Sequence, residues 1–447
     1  MKSCRSLRAD AARIWKEALR ASDPAAAMRK LLNREGTLLN IAGRCIDLAR
    51  FRKVWILGAG KAAAPMARAA EQMLGNRIAG GFLVTKYGHS LPLKRADIVE
   101  AGHPLPDSGS AAAGRRMLSF ARECICEDDL VFCLFSGGAS ALLVSPAPGI
   151  TLRDKISCTR LLQDSGADIY QMNAVRKHLS AIKGGGLARV LAPARAVSLI
   201  LSDVVGDDIA TIASGPTAPD PTTFEDCIDI LKGLNLLGRV PRNVRKLLDL
   251  GRSGYLEETP KEGDPVFRNI DSFIAGSNAQ TCTVAAETAK RLGYNSMVLT
   301  SRLDGDNAAA ARLHMNIAAK IGAHDRPLRR PACIISGGET TVKITGKGKG
   351  GRNQEFVLHC VRPLAELSSP CVVASVATDG TDGPTDAAGA VADNETLGRC
   401  REIGTDFLDE SLKRNDSYRF FQQLGDLVII GPTRTNVMDL HIVLLSC

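Results

Sequence analysis

The sequence predicts an α/β fold built as two units. Three observations carry that prediction. Short apolar runs alternate with helical stretches along most of the 447 residues, the pattern of a parallel sheet covered on both faces. Several runs end in glycine-rich turns that open a helix, as in Val54-Trp55-Ile56-Leu57-Gly58-Ala59-Gly60-Lys61. A Pro-rich loop at 214–222 and a helical region to about 265 then separate one alternating series from a second.

The elements follow in order. Residues 7–50 read as helices, because Ile14, Leu19, Met28, Leu31 and Leu32 recur at helical spacing. Residues 54–57, 81–85, 98–101, 130–135 and 196–201 read as strands, being short, apolar and bounded by turn residues. Residues 62–73, 108–127 and the stretch after Ser136-Gly137-Gly138 read as helices between them. The second series places strands at 271–275, 296–300, 332–336, 342–344, 372–377 and 427–430. The expected division is an N-terminal α/β domain over 1–240, a connecting helical and α/β segment over 241–330, and a C-terminal α/β domain over 331–447.

Composition narrows the function. A formal charge of +9 is spread along the chain rather than clustered, which argues against nucleic-acid binding and suits small anionic substrates. No apolar run approaches the roughly 20 residues that span a bilayer. The N-terminus has cations but no apolar core of a secretory signal. Thirteen cysteines without CxxC spacing read as free, mostly buried thiols in a reducing cytoplasm. Neither nucleic acid nor membrane is expected as a partner, and a homodimer is the one assembly considered.

Six segments carry chemistry. Gly58-Ala59-Gly60-Lys61 is a strand, a tight turn and a helix start bearing a cation, a setting that favours phosphate or carboxylate. It also fits a dinucleotide fingerprint loosely, but the next strand ends in Thr85-Lys86 rather than the acid that holds a ribose hydroxyl. Ser136-Gly137-Gly138 follows a buried strand and suits an anion nest. Without Gly-x-Ser-x-Gly, Ser136 is a poor candidate nucleophile. Lys183-Gly184-Gly185 follows a basic stretch in which Asn173, Arg176, Lys177 and Ser180 share a helical face, and His178 reads as a structural histidine. Asp203, Asp207 and Asp208 lie just past a strand, where clustered carboxylates suit Mg²⁺; a helix N-cap and first-turn role for one or two of them is the competing account. Lys347, Gly350, Arg352 and Asn353 form a cationic glycine-rich loop opening a helix. Asp379 lies in a glycine-rich loop with two further carboxylates, Asp382 and Asp386.

In order along the chain, GAGKAA (58–63), GHPLPD (102–107), SGGASALL (136–143), MNAVRKHLSAIKGGGLA (172–188), LSDVVGDDIATIASGPTAPDPTTF (201–224), SGGETTV (336–342), GKGGRNQEFVL (348–358), ATDGTDGPTDAAGA (377–390) and GPTRTNVMDL (431–440) resemble the class II glycerate kinases, whose C-terminal portion is the MOFRL domain. The resemblance spans nearly the whole chain. It implies two Rossmann-like lobes with mostly parallel sheets and an interlobe cleft, and phosphorylation of D-glycerate at the 2-hydroxyl by ATP with Mg²⁺ or another divalent cation. It also implies that Lys61 and Arg352 face that cleft. Three positions depart from the family pattern: Ala139 and Arg434 stand where glycine is usual, and Val205 where proline is usual. Arg434 matters most, since a glycine there could hold a left-handed backbone.

On that reading Lys61 and Arg352 clamp the two anions. One of Asp203, Asp207 or Asp208 organises the metal, and Asp379 is a base or orienting group. Gly58, Gly60, Ser136, Gly137, Gly138, Lys183, Gly184, Gly185, Lys347, Gly350 and Asn353 line the nucleotide. The enzymatic rival is an NAD(P)H-dependent hydroxypyruvate reductase, a label attached to members of this family. The non-enzymatic rival is a nucleotide-binding regulatory protein.

Overall fold

A computed structural model describes residues 2–447. Contacts within the chain divide it into two units: residues 27–275, and the segment up to Ala26 joined to 276–447. The division falls at Ala26 and Ala275 rather than at the expected 240. The reason is apolar packing. The helix Cys4–Ala21 buries Leu7, Ala11, Ile14, Trp15 and Ala18 against Ala285, Ala289, Ile335 and Val372 of the second unit. Arg8 from the same helix donates to Asp426 at 2.7 Å.

The 27–275 unit opens with a three-stranded antiparallel meander, β1 (Leu32–Glu35), β2 (Leu38–Ile41) and β3 (Arg44–Asp47). The expected helix therefore stops at Leu31. The tight turns need glycine, with Gly36 at φ +60° and Gly43 at φ +88°. A six-stranded sheet follows: β4 (Val54–Ala59), β5 (Ile78–Lys86), β6 (Asp97–Ala101), β7 (Leu130–Ser136), β8 (Arg195–Leu201) and β9 (Ile270–Gly276). Its order is β6-β5-β4-β7-β8-β9, and the pairs from β6 to β8 are all parallel. β4 and β7 are buried at every position, which is why they read as unbroken apolar runs. The C-terminal ends of β4, β6, β7 and β8 carry GAGK, GHPLPD, SGGAS and SDVVGDD.

The second unit holds β10 (Asn295–Leu303), β11 (Ala332–Gly338), β12 (Cys371–Ala377), β13 (Gly389–Asp393), β14 (Leu427–Val428) and β15 (Asp439–Leu445). The order is β10-β11-β15-β12-β13-β14. Only β10–β11 is parallel; the other pairs are antiparallel, so this sheet is mixed. The seven-residue strand β15 sits mid-sheet, buried throughout, and was not among the expected strands. Residues 342–344 form no strand. Beside them only Thr341 makes a bridge, to Asp306, and Ile344 is exposed.

Candidate active site

Four parallel-strand ends converge in the 27–275 unit. The GAGK turn is held from three sides. Gly60 N–H donates to Val84 O at 3.1 Å and Thr85 Oγ1 donates to Gly60 O at 3.0 Å. Lys61 N–H donates to Gly137 O at 2.9 Å, and Ala62 N–H donates to Ser136 Oγ at 3.0 Å. Gly60 has φ +132°, and a side chain there would overlap Ser136 Oγ. Gly58 packs against the backbone of β7, where a Cβ would lie 2.8 Å from Leu134 O. The expected phosphate cradle is thus corrected at Gly60, whose N–H already has a protein acceptor, while Gly58 is a packing position within the sheet. What the turn offers a ligand is the Lys61 side chain. Ser136 is buried with its hydroxyl accepting from a helix-start N–H, which is a positioning role.

Gly137 and Gly138 are the floor of the cluster. A Cβ on Gly137 would overlap Asp203 Oδ2, so the absent side chain is what lets that carboxylate lie against the loop. Gly138 has φ +84°, and a Cβ there would stand 3.0 Å from His103 Cδ2 and 3.3 Å from Lys61 Cγ. Lys61, His103 and Asp203 are therefore gathered around two adjacent glycines. His103 was not singled out from sequence, although GHPLPD contains it. Burial, then the nearby Lys61 and Lys86, push its imidazole down to about 4, so it is neutral at pH 7. The third-glycine position occupied by Ala139 opens a short helix and is buried there without a left-handed backbone, so the substitution is accommodated.

The three carboxylates past β8 do not assemble. Asp208 caps its own turn, accepting from Ala210 N–H at 3.0 Å and from Thr211 Oγ1 at 2.6 Å. Asp207 has φ +57° in the preceding turn. Among the described residues no group of three or more His, Cys, Asp or Glu is arranged to hold a metal ion. A resident Mg²⁺ on Asp203, Asp207 and Asp208 does not fit this donor set.

Gly184 and Gly185 also have structural employment. Their N–H groups donate to Ser214 O at 2.9 Å and Gly215 O at 2.8 Å, so they do not form an anion nest. Lys177 pairs with the buried Asp220 at 3.2 Å, and His178 lies between Ala174 O and Glu258, a structural histidine as expected. Lys183 is buried with Nζ donating to Ser140 O at 2.6 Å.

In the second unit, Arg352 opens the helix Arg352–Glu366. Its Nε and Nη2 donate to the two oxygens of Asp439, the latter at 3.2 Å, and its Nη1 donates to Glu339. The helix start already holds an anion. Asp382 accepts from Asn353 N–H at 3.0 Å and from Gln354 N–H at 2.8 Å. Asn353 is fully buried, donating to Asp439 Oδ1 at 2.9 Å and accepting from Ser375 Oγ at 2.6 Å. The expected nucleotide contact at Asn353 is thereby replaced by a framework role.

Carboxylates crowd this site. Burial pushes Asp439 up to about 7, with Arg352 and Asn353 pulling against it. Burial likewise raises Glu355 to about 7, with Asn415 opposing. A cavity of about 630 Å³ is lined by Glu339, Gly350, Arg352, Glu355, Asp379 and Asn415, among others. Asp379 accepts from Thr381 N–H at 3.0 Å. The glycine-lysine loop is tied down: Gly348 N–H donates to Arg414 O at 2.7 Å, and Lys349 N–H donates to Asp416 Oδ1 at 3.0 Å. Lys347 is exposed.

Comparison with known proteins decides the family. A model described as a domain of unknown function, DUF4147, matches residues 10–249, and the MOFRL family model matches residues 332–439. The chain is 41% identical to a glycerate 2-kinase of Pyrococcus horikoshii, covering 97% of this chain and 96% of that one. It is also 41% identical to a D-glycerate 2-kinase of Thermotoga maritima, over 87% and 90% of the two chains. The chain belongs to the MOFRL-type glycerate kinases. An Agrobacterium vitis relative, 41% identical over 97% of this chain and 93% of its own, bears a provisional hydroxypyruvate reductase name. The crystal structure of a glycerate kinase from Thermotoga maritima superposes with a TM-score of 0.88 at 38% identity, covering 99% of this chain and all of that one. Against this family background Asp439, which the sequence motifs did not single out, pairs with Arg352 from inside the GPTRTNVMDL stretch, and Asp382, one of the three carboxylates of the ATDGTDGPTDAAGA stretch, caps the same helix start.

Proposed function

We propose that this kinase transfers the γ-phosphoryl group of ATP to the 2-hydroxyl of D-glycerate, giving 2-phosphoglycerate and ADP. One observation carries the reading: Lys61, His103 and Asp203 meet over Gly137-Gly138 at the strand ends, in a chain related end to end to proteins named D-glycerate 2-kinase.

Phosphoryl transfer needs positioning and charge neutralisation more than covalent chemistry. Lys61 is the cation for the transferring phosphoryl group or the glycerate carboxylate. Asp203, gathered with Lys61 at the glycine floor, takes the proton of the 2-hydroxyl as the O–P bond forms and the bond to ADP breaks. Neutral His103 can donate or accept one hydrogen bond without adding charge beside Lys61. Arg352 is a clamp pre-set by Asp439 and Glu339. Mg²⁺ would enter on the triphosphate as part of the substrate, which needs few protein carboxylates. The free thiols suit a reducing cytoplasm.

The reductase reading is weaker on one specific ground. The N–H groups of the GAGK turn, which a dinucleotide pyrophosphate would need, have protein acceptors instead. The test is incubation with ATP, Mg²⁺ and D-glycerate, with the product assigned by ³¹P NMR. 2-Phosphoglycerate supports the proposal. 3-Phosphoglycerate, or NADH oxidation with hydroxypyruvate in its place, contradicts it.

A further inference from the structure

A second cavity of the 27–275 unit, about 260 Å³, is lined by cations that the reaction described above leaves unused. Lys155, on the helix Leu152–Asp164, is 7% exposed, and its Nζ donates to Leu179 O at 2.9 Å and Arg176 O at 3.2 Å. Arg176 is in the last turn of the helix Ile169–His178. Lys183 is 3% exposed, with Nζ on Ser140 O. Among the described residues no Asp or Glu forms an ion pair with any of the three. Arg160 adds a fourth cation at the rim. The lining also includes the apolar residues Pro104, Leu105, Val144 and Ile156.

Buried cations without an acid are costly unless an anion joins them. The strain is visible in their titration: burial pushes Lys155 down to about 7 and Lys183 well below its ordinary range, with Lys155 and Arg176 adding to the latter. Their remaining donors are unassigned, since an ammonium has three and a guanidinium five. The same cavity reaches Gly138 and His103, which adjoin Lys61.

We propose that Lys155, Arg176 and Lys183 form a phosphate-binding subsite, taking a phosphoryl group carried by the nucleotide or by the phosphoester product. With a bound anion holding both ammonium groups protonated, the two lysines and the guanidinium match a group bearing two or more negative charges better than a single carboxylate, and the guanidinium fork suits phosphate bidentately. The assignment to a participant in phosphoryl transfer rests on the function proposed above; the existence of an anion site does not.

Titration calorimetry of the full chain with ADP, 2-phosphoglycerate, inorganic phosphate and D-glycerate tests it. Arg176→Gln and Lys183→Met should each weaken at least one phosphate-bearing ligand by about tenfold or more, and leave D-glycerate within about threefold. Loss confined to ADP assigns the nucleotide, and loss confined to 2-phosphoglycerate assigns the product; either supports the subsite. Loss of D-glycerate affinity with phosphate ligands unchanged overturns it, as does no change in any ligand. The melting curve of each variant establishes that it is folded, and Arg176→Lys, which keeps the charge and loses the guanidinium fork, should retain more phosphate affinity than Arg176→Gln. Equal losses in the two Arg176 variants overturn the proposal. If phosphate ligands bind through these cations but no phosphoryl reaches glycerate, the kinase reading falls and the subsite stands. If glycerate is phosphorylated with unaltered phosphate affinity in both Arg176→Gln and Lys183→Met, the subsite falls and the kinase reading stands.

Discussion

The strand-end cluster around Lys61 and the site around Arg352 treat positive charge in opposite ways. Lys61 rises beside two glycines and a neutral histidine, with the Asp203 carboxylate on the same glycine floor, and among the described residues no acid forms an ion pair with the three cations of the adjacent cavity. Arg352 is already bracketed by Asp439 and Glu339, with Asp382 filling the nearby helix start. The first region is arranged to receive an anion. The second is a prebuilt ion network whose carboxylates are pressed toward neutrality by burial. A cation motif in sequence therefore does not reveal whether the cation is available; the surrounding acids decide that.

Breaking the network should have the largest effect. Asp439→Ala leaves the Arg352 guanidinium and Asn353 without their buried partner, and is expected to destabilise the chain by about 3 kcal/mol or more in urea unfolding. A loss below about 1 kcal/mol would mean that Glu339 alone holds Arg352. Next comes the glycine floor. Gly137→Ala must push the Asp203 carboxylate off the loop, and a displacement of about 1 Å at a reacting centre lowers kcat/KM on the order of 100-fold. Unchanged kinetics with an intact melting curve would remove Asp203 from the site.

A smaller effect separates the regions by pH. Glu355 has its folded value raised to about 7 from the usual 4.5. Between those values the folded chain keeps a proton that the unfolded chain releases, so stability falls as pH rises through that window and levels off above it. Glu355→Gln removes this dependence. Its Tm advantage over the wild type should grow from pH 5 to pH 8, and a constant difference would show that Glu355 is ionised throughout. The smallest effect is at Arg434, which has φ +61°, the left-handed backbone that a glycine would take without strain. Arg434→Gly should gain about 1 kcal/mol with little change in kcat/KM.

How far the sequence could be read also differs between the two regions. The strand-end cluster was legible because each part is local: an apolar strand, a glycine turn, then a polar residue at Lys61, Ser136 or Asp203. Which groups had ligands of their own was not legible. Asp208 closes its own turn, and Gly184 and Gly185 lean on 214–215, contacts that need the folded chain. The second region was harder. Asp439 begins a central strand whose pairing partners lie over 50 residues away, and the first helix joins this unit through long-range contacts, apolar at Leu7 and Ile14 and ionic at Arg8 with Asp426. Helical periodicity around Leu31 and Leu32 masked the β1–β3 meander, where Gly36 and Gly43 were the better signal.

The central claim is that the Lys61 cluster carries phosphoryl transfer. The direct measurement is kcat/KM of Lys61→Ala for D-glycerate and ATP, taken beside its melting curve. A fall of about 100-fold or more with an unchanged Tm is the predicted result. Near wild-type kcat/KM in a folded Lys61→Ala protein would contradict the account.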